Sequence, residues 1–176
     1  DRATNNDIPI ADQRALLSDY ANVGGDLFIS GWAIIKSLGE RQSFPRTFSE
    51  NDFVKTYLHI NVASESPFLA DFTQAVGIGD FESIEVDTTK LMGDFRATDG
   101  GIYRVNLVEQ RGPFTNITHS YGTRVQTRFP DFRGKTTGVI YYGTSFKSVV
   151  LGYPLFFMNK EQSKAFFDQV ITEFEY

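Results

Sequence analysis

The sequence predicts a single α/β domain in which helices flank a sheet, with a β-rich, antiparallel insertion between residues 60 and 135. The first third of the chain shows a helix, a short apolar strand and a second helix, and its end shows a strand and a helix. The middle shows apolar and polar residues in alternation instead. A length of 176 residues with 41% hydrophobic side chains is sufficient for one core.

The first elements are a helix at residues 11–25, which Gly24 and Gly25 end, and an apolar strand at 26–30. Such short apolar runs are typical of strands buried on both faces in parallel sheets. A short helix follows at 33–39. Because a doubly wound domain normally begins with a strand, the leading helix predicts that one N-terminal βα unit is missing or is supplied by another chain segment.

The next helix is predicted at 49–58, with Ser49 as its N-cap. The predicted strands of the following part lie at 82–87, 101–110, 120–129, 136–143 and 146–158. Residues 142–146 predict a hairpin between the last two strands. The last segment, 159–176, predicts an amphipathic helix that Asn159 caps together with Gln162.

Composition excludes several classes of function. The net charge of −5 argues against a surface for nucleic acids or anionic membranes, and no apolar run reaches the ~18 residues of a membrane span. The absence of cysteine excludes disulfides, thiolate metal sites and a cysteine nucleophile. No motif indicates a cofactor or a metal site, and residues 76–80, VGIGD, lack the lysine of a phosphate-binding loop.

Four segments resemble a known family: LLSDYANVGGDLFISGW, FVKTYLHINVASE, VGIGD and GKTTGVIYYGTSFKSVVLGYPLFFMNKEQSKAFFDQVITEF. They are similar to class I glutamine amidotransferase-like domains, and in particular to the non-catalytic type appended to secreted bacterial peptidases and surface proteins. The resemblance implies a flavodoxin-like or amidotransferase-like sheet flanked by helices. The residues that carry it are Gly24, Gly25, Ser30, Gly31, Gly152, Tyr153 and Pro154.

The chain departs from the active members of that family. Active glutaminases carry a cysteine at the strand-to-helix elbow and a His-x-Glu pair, whereas this chain has no cysteine and neither His59 nor His119 is followed by such a glutamate. The resemblance therefore implies a non-catalytic accessory or interaction domain of a larger bacterial protein, extracellular or at the cell surface. Its implied partners are other domains of the parent protein, or a protein or glycan ligand.

Ser30 is the principal candidate for chemistry. A serine between a strand and a helix exposes its hydroxyl where main-chain N–H groups stabilise an oxyanion, and His119 would then serve as its base in a serine hydrolase. A simpler interpretation is that Ser30 caps the helix that begins near Trp32. A ligand bound at this elbow would contact Ser30, Gly31 and Trp32. A structural oligomerisation domain is a further alternative.

Two charged segments allow both a functional and a structural interpretation. Asp80, Glu82, Glu85 and Asp87 are oxygen ligands of the kind that calcium prefers, but their alternation favours a solvated strand face. Residues 123–135 mix arginines with phenylalanines, as in surfaces that bind carbohydrates or acidic partners. The same pattern also suits a basic strand edge that prevents aggregation.

Overall fold

The computed structural model describes residues 13–39, 43–66, 72–91, 97–98, 100–110, 112–122 and 131–175. Its α-helices are α1 (Arg14–Asn22), α2 (Ile34–Leu38), α3 (Phe53–Leu58) and α4 (Lys160–Glu175). Its strands are β1 (Leu27–Ser30), β2 (Arg46–Thr47), β3 (Ile60–Glu65), β4 (Gln74–Gly77), β5 (Ile84–Glu85), β6 (Ala97–Thr98), β7 (Gly101–Ile102), β8 (Asn106–Gln110), β9 (Thr115–Tyr121), β10 (Thr136–Tyr142) and β11 (Lys147–Leu151). Short 3-10 turns lie at Thr88–Lys90 and Leu155–Phe157.

Six strands form the main sheet in the order β1-β11-β10-β9-β4-β5. The pair β1 and β11 is parallel, and every other neighbouring pair in this sheet is antiparallel. The predicted hairpin between β10 and β11 is confirmed. The register between β9 and β10 shifts around Gly138, which marks a β-bulge.

A second, antiparallel sheet contains β2, β3 and β8, and β6 pairs with β7. The two larger sheets meet where the main-chain N–H of Asn106 donates to the carbonyl of Gly152 over 2.7 Å. A Cβ atom on Gly152 would overlap the carbonyl oxygen of Asn106, so this approach requires glycine.

Hydrophobic side chains cover both faces of the main sheet. Helix α4 packs on one face through Phe166 and Val170, which join the strand residues Ile140 and Val149. The other face carries α1, α2 and α3. Core residues of that second face include Leu27, Ile29, Ile35, Leu38, Val54, Leu58, Val139 and Val150. β11 is therefore buried on both faces, and β1 is buried on one face and half-buried on the other, which explains their continuous apolar sequences.

The predicted flavodoxin-like fold is wrong, because the chain is mostly β and its sheets are not a helix-flanked parallel array. The stretch 60–135 is no insertion either: β4 and β9 lie inside the main sheet, and β3 and β8 build the second one. The apolar run at 26–30 indicated a parallel pair, and that pair exists. It is the sole parallel pairing among the described strands, since the other neighbours are antiparallel.

The predicted strands also end earlier than their apolar sequences. Strand β11 stops at Leu151, and a 3-10 turn follows where a continuous strand was predicted. The predicted strand at 101–110 divides into β7 and β8 on either side of Arg104, whose φ of 55° lies in the left-handed region. The strand predicted at 82–87 is shorter and consists of β5 alone. Of the strand predicted at 120–129, the first two residues belong to β9, which ends at Tyr121, and residues 123–129 lie outside the described part.

One of the two predicted N-cap residues is found at the start of its helix. Asn159 is confirmed as the cap of α4, since its Oδ1 accepts from the N–H groups of Glu161 and Gln162 at 3.0 and 3.2 Å. Helix α3 begins later than predicted, at Phe53, and its N-cap is Asp52 instead of Ser49. The carboxylate of Asp52 accepts from the main-chain N–H of Ser49. No helix in the described ranges has both the length and the apolar character that crossing a membrane requires.

Candidate functional site

Ser30 is the last residue of β1, and its hydroxyl group both donates and accepts a hydrogen bond with the main chain. Its Oγ donates to the carbonyl of Tyr153 over 2.8 Å and accepts from the N–H of Leu155 over 3.1 Å. These bonds tie the end of β1 to the segment that follows β11. The predicted helix cap is wrong, because α2 begins only at Ile34 and its N-cap residue Ala33 makes no side-chain cap.

His119 lies on β9 and is completely buried. Its Nε2 is 2.9 Å from the carbonyl oxygen of Glu82 and therefore donates a hydrogen to it, while Nδ1 faces the hydroxyl of Thr118 at 3.2 Å. The ring packs edge-on against Phe166. Burial lowers the pKa of His119 to about 4, although the bond to Glu82 opposes this shift. The imidazole is therefore neutral at pH 7.

The strand register holds Ser30 and His119 apart. Ser30 pairs with Leu151, Leu151 with Gly138, and Gly138 with His119, so three strand spacings separate the two residues. At 4.7–4.9 Å per spacing, their Cα atoms lie about 14 Å apart on the same face of the sheet. The side chain of Leu151 lies between them and leans over Gly138. The structure does not bring the predicted nucleophile and base together.

The other two elbow residues are engaged in packing. Trp32 donates its Nε1 hydrogen to the carbonyl of Tyr103 over 2.9 Å, and its ring lies 4.7 Å from that of Phe157. Gly31 has ordinary space around it, with Ile34 3.6 Å from the position of a Cβ atom. Ligand binding at Ser30, Gly31 and Trp32 stays a prediction, although the polar groups of Ser30 and Trp32 already bind the protein itself.

The acidic segment does not converge on one point. Asp80, Glu82 and Glu85 are exposed on the surface. Asp87 instead caps the 3-10 turn at Thr88–Lys90, and its hydrogen bonds with Thr89 lower the pKa of its carboxyl group. Within the described ranges, no three histidine, aspartate or glutamate side chains are grouped as metal ligands.

The remaining candidates have local partners or lie outside the described residues. Residues 123–130, most of the predicted basic segment, are not among those the structure describes. Of the rest, Arg133 forms an exposed ion pair with Asp131 at 2.6 Å. His59 stacks on the ring of Tyr141, with 3.4 Å between ring centroids, which is a packing role.

A groove with a volume of about 680 Å³ lies between the C-terminal half of α4 and the strand ends of the main sheet. It lies far from the elbow, since Tyr142 in its lining pairs with Lys147 at the start of β11 while Ser30 pairs with Leu151 at the end. Four residues of strand separate these levels by about 13 Å. The described residues of the lining are Ile78, Gly79, Asp80, Phe81, Gln110, Thr115, Asn116, Ile117, Tyr142, Gln169, Thr172 and Glu173.

Hydrogen bonds fix two walls of this groove. The side chain of Gln169 donates to the carbonyl of Asp80 over 2.7 Å and accepts from the N–H of Glu82 over 3.0 Å, so α4 holds the turn between β4 and β5. Tyr142 donates its hydroxyl hydrogen to Glu173 over 3.0 Å. Burial, followed by the bond to Glu173 and its charge, raises the pKa of Tyr142, so this hydroxyl stays protonated.

Asn116 lies on the floor of the groove. It pairs with Ile140, whose side chain belongs to the core under α4, so Asn116 is an exposed polar residue on the sheet face that α4 covers. Sequence reasoning missed it. The strand sequence TNITHSY carries no separate signal for Asn116, because the sheet face on which it lies follows only from its pairing with β10.

Comparison with known proteins gave no match to a family model, to a curated protein or to a solved structure. The resemblance to amidotransferase-like domains therefore stays a prediction from the sequence.

Proposed function

We propose that this chain is a non-catalytic accessory or interaction domain of a larger bacterial protein, secreted or attached to the cell surface. The observation that carries the proposal is the hydroxyl of Ser30, which holds the main chain at Tyr153 and Leu155. At the strand-to-helix position where active glutaminases carry a nucleophile, Ser30 thus holds two segments of the main chain together. The location and the parent protein rest on the sequence resemblance alone.

The geometry disfavours the serine hydrolase alternative. A serine nucleophile needs a base within hydrogen-bond reach, about 2.6–3.2 Å. His119 lies about 14 Å from Ser30 by strand register, and its Nε2 donates to the carbonyl of Glu82. A buried imidazole that already donates at Nε2 and lies behind Leu151 has no route to the hydroxyl of Ser30.

The groove beside α4 supports the binding part of the proposal. Its size lies within the range of about 300–1,000 Å³ that is usual for ligand pockets, and two of its walls are fixed by hydrogen bonds. A preformed concave surface binds a ligand at a smaller entropic cost than a surface that must first become ordered. Other domains of the parent protein, or a protein or glycan ligand, are the partners that we propose.

The test is the intact mass of the protein after treatment with a fluorophosphonate probe, with Ser30→Ala and a known serine esterase as controls. We expect no adduct on the wild-type chain. We also expect Ser30→Ala to lower the free energy of unfolding by about 1–3 kcal/mol, because it leaves two main-chain groups without their side-chain partner. A stoichiometric adduct that disappears in Ser30→Ala would establish the hydrolase instead.

A second candidate function, self-association, is favoured by α1. Two apolar side chains of this helix are exposed, Leu16 by 63% and Tyr20 by 52%, and so is its C-cap residue Val23 by 84%. Their spacing of four and three residues places them on one helix face. We propose that a second copy of the chain packs against that helix face. Light scattering over a range of concentrations tests it, and a constant monomer mass would eliminate this candidate.

A further inference from the structure

We infer that the groove between α4 and the strand ends of β9 and β10 binds an uncharged oligosaccharide. The inference rests on the proposed function, since it names the ligand class of a non-catalytic binding domain. Four properties of the groove carry it: its unpaired amides, its apolar surfaces, the sign of its charges and its fixed walls.

The amides provide the hydrogen bonds that hydroxyl groups require. An amide side chain both donates and accepts, as a sugar hydroxyl does. The side chains of Gln110 and Asn116 reach the groove from β8 and β9 and have no hydrogen-bond partner in the described part of the chain. Neither amide would have to give up a hydrogen bond to a described residue in order to bind a ligand.

Apolar groups lie beside these amides. Ile78 is 41% exposed at the groove, and the rings of Phe81 and Tyr142 also line it. A sugar ring presents C–H groups on its faces and hydroxyls at its rim. A lining that alternates apolar surface with amides matches that distribution, as ligand sites combine apolar contact with a few placed polar groups.

The charges of the described lining disfavour anionic ligands. Among the residues that the structure describes, the lining contains two carboxylates, Asp80 and Glu173, and neither lysine nor arginine. The carboxylate of Glu173 already accepts the hydrogen of Tyr142, so it is not an unpaired charge that calls for a cation. The net charge of the chain, −5, adds to the repulsion of phosphorylated, sulfated or uronic acid ligands.

The walls are fixed before a ligand arrives. Gln169 holds the main chain at Asp80 and Glu82, and the N–H of Ile78 donates to the carbonyl of Thr118 over 2.9 Å. The groove is partly open to solvent, so a bound ligand can extend beyond it. An open, rigid groove of about 680 Å³ is thus shaped for a short stretch of polysaccharide.

The test uses the whole chain on an array of uncharged gluco-, manno-, galacto- and chito-oligosaccharides, with sulfated and uronic acid oligosaccharides as comparators. The strongest binder is then titrated calorimetrically against wild type, Gln110→Ala/Asn116→Ala and the control Asn51→Ala, which removes an exposed amide outside the groove. We expect uncharged oligosaccharides to bind, the double variant to weaken binding about tenfold or more, and the control to bind as wild type. Thermal melts of all three proteins verify that they are folded.

The inference is overturned if no uncharged oligosaccharide binds, if only anionic ones bind, or if the double variant binds as well as wild type. These results differ from a failure of the proposed function, which the fluorophosphonate adduct reports on Ser30 independently. A chain that binds no glycan and forms no adduct keeps its non-catalytic function and loses the glycan ligand.

Discussion

The imidazole of His119 is buried between β9 and α4, among the rings of Phe166 and Tyr153. Its one strong hydrogen bond runs to the carbonyl of Glu82, which fixes the tautomer with hydrogen on Nε2. Protonating Nδ1 at this position would place a cation in the core without a counter-charge, and this desolvation is what lowers the pKa of His119 to about 4.

We therefore predict that stability falls as the pH is lowered from 6.5 to 4. In this window the unfolded chain binds a proton at His119, with an ordinary pKa of 6.5, and the folded chain does not. The lost stability is about 3 kcal/mol at 1.36 kcal/mol per pKa unit. Urea unfolding at pH 7 and pH 4.5 measures it. In His119→Gln, which cannot titrate, the decline should be smaller, and an equal decline in both proteins would contradict the prediction.

Single residues were the least predictable from the sequence. The position of Ser30 after an apolar strand was recognised, but its partners Tyr153 and Leu155 lie more than 120 positions away. The two interpretations that the local sequence allowed, a helix cap and a nucleophile, therefore do not include the hydrogen bonds that join Ser30 to these distant residues. Asn159 was predictable because its cap bonds reach only two and three residues along the chain.

At the scale of elements, the turn between β4 and β5 determines one wall of the groove. Gly77 ends β4, and its N–H donates to Ser83 Oγ over 3.0 Å. A Cβ atom at Gly77 would overlap the carbonyl oxygen of Phe81. The turn folds back this tightly because Gly77 has no side chain, and Phe81 can thus reach Phe166 in the core.

We predict that Gly77→Ala displaces this turn and destabilises the protein. The added Cβ atom would meet main-chain atoms, which cannot move aside as a flexible side chain does. We therefore expect the free energy of unfolding to fall by about 1–3 kcal/mol. Gly31→Ala is the matched control, because its nearest neighbour, Ile34, lies 3.6 Å from the added Cβ. Urea unfolding of both variants measures the difference. Equal stability would show that the turn adapts at little cost.

Elements with a local signal were predicted better than the pairings between them. The spacing of apolar residues in α4 and the hairpin between β10 and β11 are both confirmed. The pairing of β4 with β9 joins segments about 45 residues apart and has no signature in either sequence. The groove was missed for the same reason, since five separate segments of the chain line it.

At the scale of the whole molecule, the main sheet separates two hydrophobic cores. Val170 of α4 belongs to one and Val54 of α3 to the other, and both side chains are completely buried. The predicted flavodoxin-like α/β class is wrong, because the chain is mostly β and its strands pair mainly antiparallel. The helices that the structure describes pack on this sheet with α4 on one face and α1, α2 and α3 on the other.

This arrangement predicts how the stability costs of two side-chain truncations combine when they lie on opposite faces of the main sheet. Val54→Ala and Val170→Ala make the same change at equally buried helix positions, and each should cost about 1–3 kcal/mol. Because the sheet separates the two cavities, the double variant should cost the sum of both within about 0.5 kcal/mol. Unfolding should stay a single transition, since both cores depend on β1, β10 and β11. Urea unfolding monitored by fluorescence and by circular dichroism measures both quantities. Two separate transitions in the double variant would instead show that each face folds independently of the other.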